Sequence, residues 1–406
     1  MLISTALVLL MNGALAFFYG GLVRSRHMLN TLAMSFASFG FVGLAWVLAG
    51  YSLSFSPGTS FVGGLQNAML TGMKLDDLHD TIPTLLFMAY QGTFAIITAA
   101  LISGAVVERM RFGAYLAFIT LWSLAVYAPV AHWVWGPDGW LGARGALDFA
   151  GGTVVHVNAG IAALVTAVVL GPRKDFGRRA LLPHNVPFVL LGAGLLWFGW
   201  FGFNAGSALK ADRSATLAFV NTMLAPAATL VVWMTLDILR TRRVTAVGIA
   251  TGVVVGLVGI TPAAGLVSPV EAVIIGLLCT FPSYYAILWR AASSIDDSLD
   301  VFSAHGIGGI VGALLTGIFA SRTWGAPVDG LIHGNPAQLG IQAMGVVVTA
   351  AYSAIVTCAL LKIVDAVVPL RVEARDERVG LDVSQHGEEA YSRGEGAILI
   401  PAVKEA

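Results

Sequence analysis

Eleven apolar stretches of spanning length divide this chain, near residues 1–23, 30–52, 82–106, 112–135, 152–170, 186–207, 215–238, 245–263, 270–289, 304–320 and 338–363. Inside a bilayer no water is present to satisfy main-chain N–H and C=O groups, so each stretch has to bond within itself, as a helix does. Composition supports this reading: 57% of the 406 residues are hydrophobic, 11% are charged and mean hydropathy is +0.80. Soluble domains carry roughly twice that share of charge. The sequence therefore predicts an all-α integral membrane protein with eleven transmembrane helices. The formal net charge is zero, so no charge bias points to a nucleic acid partner. Cys279 and Cys358 both lie in apolar runs and read as packing residues, with no disulfide or zinc spacing.

The opening run, MLISTALVLLMNGALAFFYGGLV, lacks the early basic residues and short apolar core of a cleaved signal. It reads as the first spanning helix, and its abrupt start leads us to expect a few further residues upstream. Basic residues in the short loops set the expected orientation. Twelve fall in one set of loops, from Arg24 and Arg26 to Arg290, against five in the other: Lys74, Arg144, Lys210, Arg213 and Arg322. This puts the N-terminus outside and the C-terminus in the cytoplasm of a cell (inner or plasma) membrane. Two regions are expected, a transmembrane part over 1–369 and a polar cytoplasmic part over 370–406. On composition alone the second reads as a disordered tail.

Two segments repeat. ALDFAGGTVVHVNAGIAAL (146–164) is similar to SLDVFSAHGIGGIVGALL (298–315), and the copies begin the fifth and tenth helices. The copies are five helices apart, so the second copy is inverted with respect to the membrane. This predicts an inverted fivefold pseudo-repeat, helices 1–5 and 6–10, plus a final long helix. Inverted repeats place pathways at their interface, near the midplane. Each copy carries one histidine, His156 or His305. A single buried histidine can be a packing residue bonded to a neighbouring helix. Two at matching places in inverted copies instead predict a pair at the pseudo-twofold axis, able to share one proton. Asp148 precedes His156 by eight residues and is expected to cap its helix. Asp300 is taken as its counterpart in the second copy.

Small residues recur beside the first histidine, at Gly152, Ala159, Gly160, Ala163 and Ala167, and again at Gly199, Gly202 and Gly206. Such stripes bring helices close. Aromatic residues gather near the outer ends: Tyr90 and Phe94 in AYQGTF, Trp135 at the end of the fourth helix, and Phe203 in WFGWFGFNAGSAL. Aromatic residues at helix ends commonly form an interfacial belt. Rings beside glycine and serine resemble a pore lining instead, and aromatic faces can hold a small cation, with Ser207 as a hydroxyl acceptor.

These segments, together with FFYGGLVR, GITPAAGLVSP, DVFSAHGIGGI and GLDVSQHGEEAY, resemble the ammonium transporter (Amt/Mep/Rh) family, in its bacterial Amt form. The resemblance runs from residue 17 to residue 391. It implies an eleven-helix subunit in a homotrimer with one pore each. It also implies that Phe94, Trp135 and Ser207 recruit ammonium at an outer site, with Tyr90 beside them where many relatives have Phe. Phe94 and Phe203 would be stacked gate rings, His156 and His305 the pore pair, and Asp148 a structural acid. The C-terminal region would pack across the inner face and meet a PII-type signal protein. The first helix departs from the family in MNGALAFF, where relatives often have a proline.

The expected activity is transport of ammonium, and of methylammonium as a variant substrate, without a cofactor, a metal or enzymatic turnover. Ammonium can surrender a proton and potassium cannot, so an apolar path with two histidines selects for ammonia. Whether the pair relays the proton or the proton returns outside stays open. Three competing readings are an ammonium sensor with little flux, an enzyme with a metal held by both histidines, and an Rh-like gas channel. Sensor relatives usually append a signalling domain, and the chain ends about fifteen residues after GEEAY. A metal site wants three or four ligands. The outer motif is of the Amt rather than the Rh kind.

Overall fold

Residues 1–391 are described by the computed structural model, in which ten helices are long and apolar enough to cross a membrane. The remainder of the 370–406 region lies outside the described residues. In chain order the spanning helices are α1 (Leu2–Leu22), α2 (Ser25–Phe55), α3 (Thr84–Ala105), α4 (112–135), α5 (Gly152–Leu170) and α6 (Val186–Gly206). They continue with α7 (Arg213–Thr241), α8 (Ala246–Ile260), α9 (Pro269–Ala292), α10 (Phe302–Phe319) and α11 (Ala337–Val367). The eleven expected stretches are all present. The exception in kind is α8, which is only 15 residues long. The chain after it, from Thr261 to Val267, is irregular yet buried. Irregular backbone is tolerated at that depth only if protein satisfies its polar groups. Here Asn221 Nδ2 on α7 donates to the carbonyls of Ala264 (2.8 Å) and Val267 (2.9 Å), and Phe149 N donates to Pro262 O.

The two halves meet along α1 against α6 and where α5 crosses α10. The crossing is built from glycine. A Cβ on Gly160 would collide with the Gly306 backbone, and one on Gly309 would lie 2.8 Å from Gly152 O and 3.0 Å from His156 Cβ. Gly160 is four residues past His156 and meets the residue after His305. Gly309 is four past His305 and meets the turn that carries His156. The reciprocity is that of a pseudo-twofold axis. Both helices also begin with a π-helical segment that contains the histidine, Gly152–Val157 and Phe302–Ile307. Single π turns inside α-helices concentrate at functional positions.

Asp148 fixes the start of α5. Its Oδ1 accepts from Gly151 N (2.9 Å) and Gly152 N (2.6 Å), and its Oδ2 from Thr153 N (2.8 Å) and Val154 N (3.0 Å). One buried carboxylate thus satisfies the first four donors that a helix start leaves unpaired. Gly151, at φ +112°, makes the turn that brings the chain round to it. The expected counterpart in the second half, Asp300, does not do this. That place is taken by Asp297, whose Oδ2 accepts from Phe302 N at 2.7 Å. Asp297 precedes His305 by eight residues, the same interval as Asp148 to His156. Asp300 has a left-handed backbone (φ 59°) and receives Arg290 Nε at 2.7 Å.

On the face that carries residues 370–391, the tail face, buried ions tie the loops together. Glu108 accepts from Arg24 (2.7 Å) and Arg173 (3.3 Å), and Arg173 also grips Asp296 (2.9 Å). Burial works to raise the Glu108 carboxyl, but His27, Arg173 and Arg24 hold it down at about 2. Arg109 is fully buried and donates to the carbonyls of Gly171, Ala105 and Asp296 and to Ser298 Oγ. The tail docks on this frame. Glu377 takes Arg371 (2.9 Å) and the Lys174 N–H, and Asp382 accepts from Asn30 N (2.8 Å). Residues 370–391 are therefore ordered by specific polar contacts, which composition alone did not suggest.

Four stability outcomes follow. Gly160→Val should cost about 3 kcal/mol or more, because backbone rather than a yielding side chain opposes it. Gly194→Val, with nothing within 4 Å of its Cβ, should cost about 1 kcal/mol or less. Glu108→Ala should cost about 2–3 kcal/mol, because it removes the acid shared by the buried Arg173 and the partly exposed Arg24, which keep only Asp296 and Asp175. Asp175→Ala, at a pair with the acid 29% exposed, should cost about 1 kcal/mol or less. Thermal unfolding of the purified protein in detergent checks all four.

Candidate functional site

Three cavities line up through the bundle. The first opens on the face that carries the 56–83 loop, the loop face. It has a volume of about 170 Å³ and is lined by Phe94, Trp135, Ser207, Gln91, Phe55 and His79, among others. Trp135 ends the helical part of α4, and its Nε1 donates to Asp148 O at 2.8 Å. The residue that starts α5 thus also orients the aromatic wall. Phe94 meets Trp135 edge-on at 6.2 Å.

Tyr90, which the sequence groups with this wall, does not line the cavity. It is fully buried, and its hydroxyl lies 2.8 Å from Phe203 O, 3.0 Å from Gly202 O and 3.2 Å from Ser207 Oγ. A tyrosine one turn before Phe94 thereby ties α3 to α6 and supports Ser207 from behind. A phenylalanine there would leave that oxygen network unmade.

Below the first cavity, Phe94 and Phe203 stack with centroids 4.1 Å apart and planes 19° apart. Each is 1% exposed. The stacked rings lie between the first cavity, which Phe94 lines, and the next, which Phe203 lines. Beneath Phe203 is a cavity of about 10 Å³, lined by His156, His305, Trp200, Val155, Leu101 and Val254, among others. This holds about one water-sized molecule. A third cavity, of about 210 Å³, continues from His305 to the tail face past Ala304, Tyr19, Ser298, Asp300 and Arg290.

The two histidines that close the small cavity come from the two halves, as the repeat predicts. Their Nδ1 atoms lie 3.2 Å apart. His156 stacks on Trp200 (5.4 Å, 17°), which is fixed by Nε1 donating to Thr261 Oγ1 at 2.9 Å. The Nδ1 contact demands that one ring carry its proton there and the other not. The ring with Nδ1–H then has a bare Nε2, and its partner has Nε2–H. The pair therefore offers a passing molecule one acceptor and one donor. His156 Nε2 is buried without a partner in the protein, so it is free for this.

Sequence reasoning missed Asp297, Trp200, Gln91 and His79. The eight-residue interval before each histidine would have found Asp297. The other three carry no spacing signal. Among the described residues no group of three His, Cys, Asp or Glu side chains is placed to hold a metal ion. Cys279 and Cys358 are free.

Known proteins are similar to nearly the whole of this chain. The chain is 47% identical to the ammonium transporter of Bacillus subtilis (strain 168) over 395 residues, covering 96% of this chain and 97% of that protein. It is 50% identical to the ammonium transporter of Aquifex aeolicus (strain VF5), covering 97% and 92%. Among solved structures, Candida albicans Mep2 is similar with a TM-score of 0.87 and 37% identity, covering 92% of this chain and 85% of that one. A structure described as a sensor Amt protein has a TM-score of 0.87 and 30% identity, covering 95% and 96%. The model of the Ammonium Transporter Family matches residues 1–391. This chain, with its paired histidines at the crossing of two inverted halves, belongs to that family.

Proposed function

We propose that the chain moves ammonium nitrogen across the membrane by binding ammonium in the loop-face cavity, removing its proton, and passing ammonia along the His156–His305 pair. The observation that carries this reading is the small cavity behind the stacked rings, lined mostly by apolar side chains and by the imidazole pair. The loop face is the outer one, as the basic residues predict, with the N-terminus outside and the C-terminus in the cytoplasm.

The aromatic faces of Trp135 and Phe94 attract a small cation by about 0.5–2 kcal/mol, and Ser207 lies in the same cavity as an acceptor. Potassium binds aromatic faces too, so this step alone selects weakly. Selection comes next. An intact ion entering the small cavity would lose its hydration and meet no carboxylate and no ring of carbonyls, at a large desolvation cost. Ammonia escapes that cost. Its lone pair accepts from the Nε2–H of one ring, and its N–H donates to the bare Nε2 of the other. The pair lets a neutral molecule through and holds back a cation. Trp200 and the two glycine contacts at the crossing keep the rings from turning away.

The released proton has two routes, along the imidazole pair or back to the outside. The first makes transport electrogenic and the second does not. A homotrimer with one path per subunit and a PII-type signal protein meeting the cytoplasmic tail belong to the same reading, on the strength of the family resemblance. Methylammonium is the natural alternative substrate. A sensor would bind ammonium with little flux, so flux into proteoliposomes separates the two readings.

With the reconstituted protein on a solid-supported membrane, an ammonium pulse should evoke a current if the proton follows through the pair. Uptake without current would sink the relay and leave the neutral route. His156→Ala and His305→Ala should each reduce ammonium uptake about tenfold or more, roughly 1.4 kcal/mol of lost hydrogen bonding. His156→Asp puts a fixed negative charge in the small cavity and should admit potassium. If that variant still excludes potassium, the pair is not what selects.

A further inference from the structure

The loop-face cavity contains one ionisable side chain, His79, which the transport reading leaves without a role. His79 sits in a two-residue hairpin, Leu78–His79 paired with Ile82–Pro83, whose turn passes through Asp80 at φ 51°. Thr84 N donates to Asp77 O at 2.8 Å and closes the base of the hairpin. The imidazole lies flat on Phe87, with centroids 3.7 Å apart and planes 15° apart. Phe87 is held edge-on by Phe55 at 4.9 Å. The ring is therefore positioned at two points, by the hairpin and by the stack. It lines the same cavity as Phe94, Trp135 and Ser207. Among the described residues no hydrogen bond engages either ring nitrogen.

The groups around the ring leave its charge uncompensated. Phe55 faces the cavity from α2, Phe87, Gln91 and Phe94 from α3, Trp135 from α4, and Phe149, Ser207 and Leu209 from the connecting segments. None of these ionises. Asp80, next in the hairpin, is the charged group acting on the ring, and Lys210 is exposed and paired with Asp212. We propose that His79 is a specificity-determining residue of the ammonium site: its neutral ring lends an acceptor nitrogen to the bound cation, and its protonated ring repels that cation. The proposal rests on the transport reading above.

The sign is fixed by the surroundings. Burial lowers the His79 pKa from the usual histidine value, with Asp80 acting in the opposite sense. The ring is thus neutral wherever an ordinary histidine is neutral, and it gains its charge only at a more acid pH than an ordinary histidine would. Ammonium keeps its own proton throughout this range. A unit positive charge in a cavity of this size opposes a second one by enough to weaken binding about tenfold.

The test uses the full chain in proteoliposomes, with ammonium uptake measured as a function of concentration at external pH from about 8 to about 5. The wild-type KM should rise about tenfold on the acid side while the maximal rate holds. His79→Gln keeps an acceptor but cannot be charged, so its KM should stay flat. His79→Arg carries a permanent charge and should show the high KM at every pH. A wild-type KM that is flat across the range overturns the proposal without any variant. So does a His79→Gln protein that keeps the acid rise, or a His79→Arg protein with the wild-type KM at pH about 7. Absence of uptake at every pH sinks the transport reading instead, so the two failures are distinguishable.

Discussion

A direct contact between two imidazole nitrogens at 3.2 Å is demanding to build from helices of opposite half. It requires α5 and α10 to cross at backbone distance, and glycine at Gly160, Gly306 and Gly309 is what permits that approach. It requires both helices to start at a defined depth, which Asp148 and Asp297 set by accepting the first N–H groups. It also requires a wall that stops the rings from rotating, which Trp200 supplies through Thr261. Thr261 in turn begins the irregular segment after α8, held by Asn221. The long helix α11 braces the crossing from outside, with Gln342 bonded to both Leu147 and Ala313 and Ser353 to Asn158. The imidazole contact lies where these supports converge, at the crossing of α5 and α10.

Much of this was legible in the sequence, for reasons that differ by element. The spanning helices were readable because hydrocarbon imposes length and apolarity together, and α8 fell short because Pro262 and Gly265 let the chain leave the helix while still buried. The histidine pair was readable because inversion makes two similar segments converge. Matching Leu-Asp in one copy to Leu-Asp in the other put Asp300 where Asp297 stands. Letter similarity weighed more there than the interval to the histidine, and the interval is what geometry conserves. Tyr90 was placed on the wall by its one-turn spacing from Phe94. Spacing gives a face, but the depth of a hydroxyl behind that face depends on the neighbouring helix. The π-helical starts and the His79 hairpin follow from tertiary packing that no local pattern encodes.

The tail face shows a second organising principle. The short loop from Ser293 to Val301 carries Asp296 in the buried ion cluster, Asp297 at the start of α10, and Asp300 in the third cavity. Arg109 binds that loop at Asp296 and Ser298, and its own carbonyl receives Val372 N from the tail. The tail is thus bonded, through Arg109, to the loop that also carries Asp297 at the start of α10. The links from the tail to this loop are hydrogen bonds to Arg109, to a main-chain carbonyl and to a serine hydroxyl.

The size of the cavity beneath Phe203, about 10 Å³, carries a kinetic consequence under the proposed reading. Channels that conduct ions in file gain speed because each newcomer pushes its predecessor onward by charge repulsion. A chamber that admits one neutral molecule at a time has no such push. Occupancy by one molecule simply blocks the next, so throughput is governed by how quickly a single vacancy is refilled. Crowding at the mouth saturates such a path and does not accelerate it.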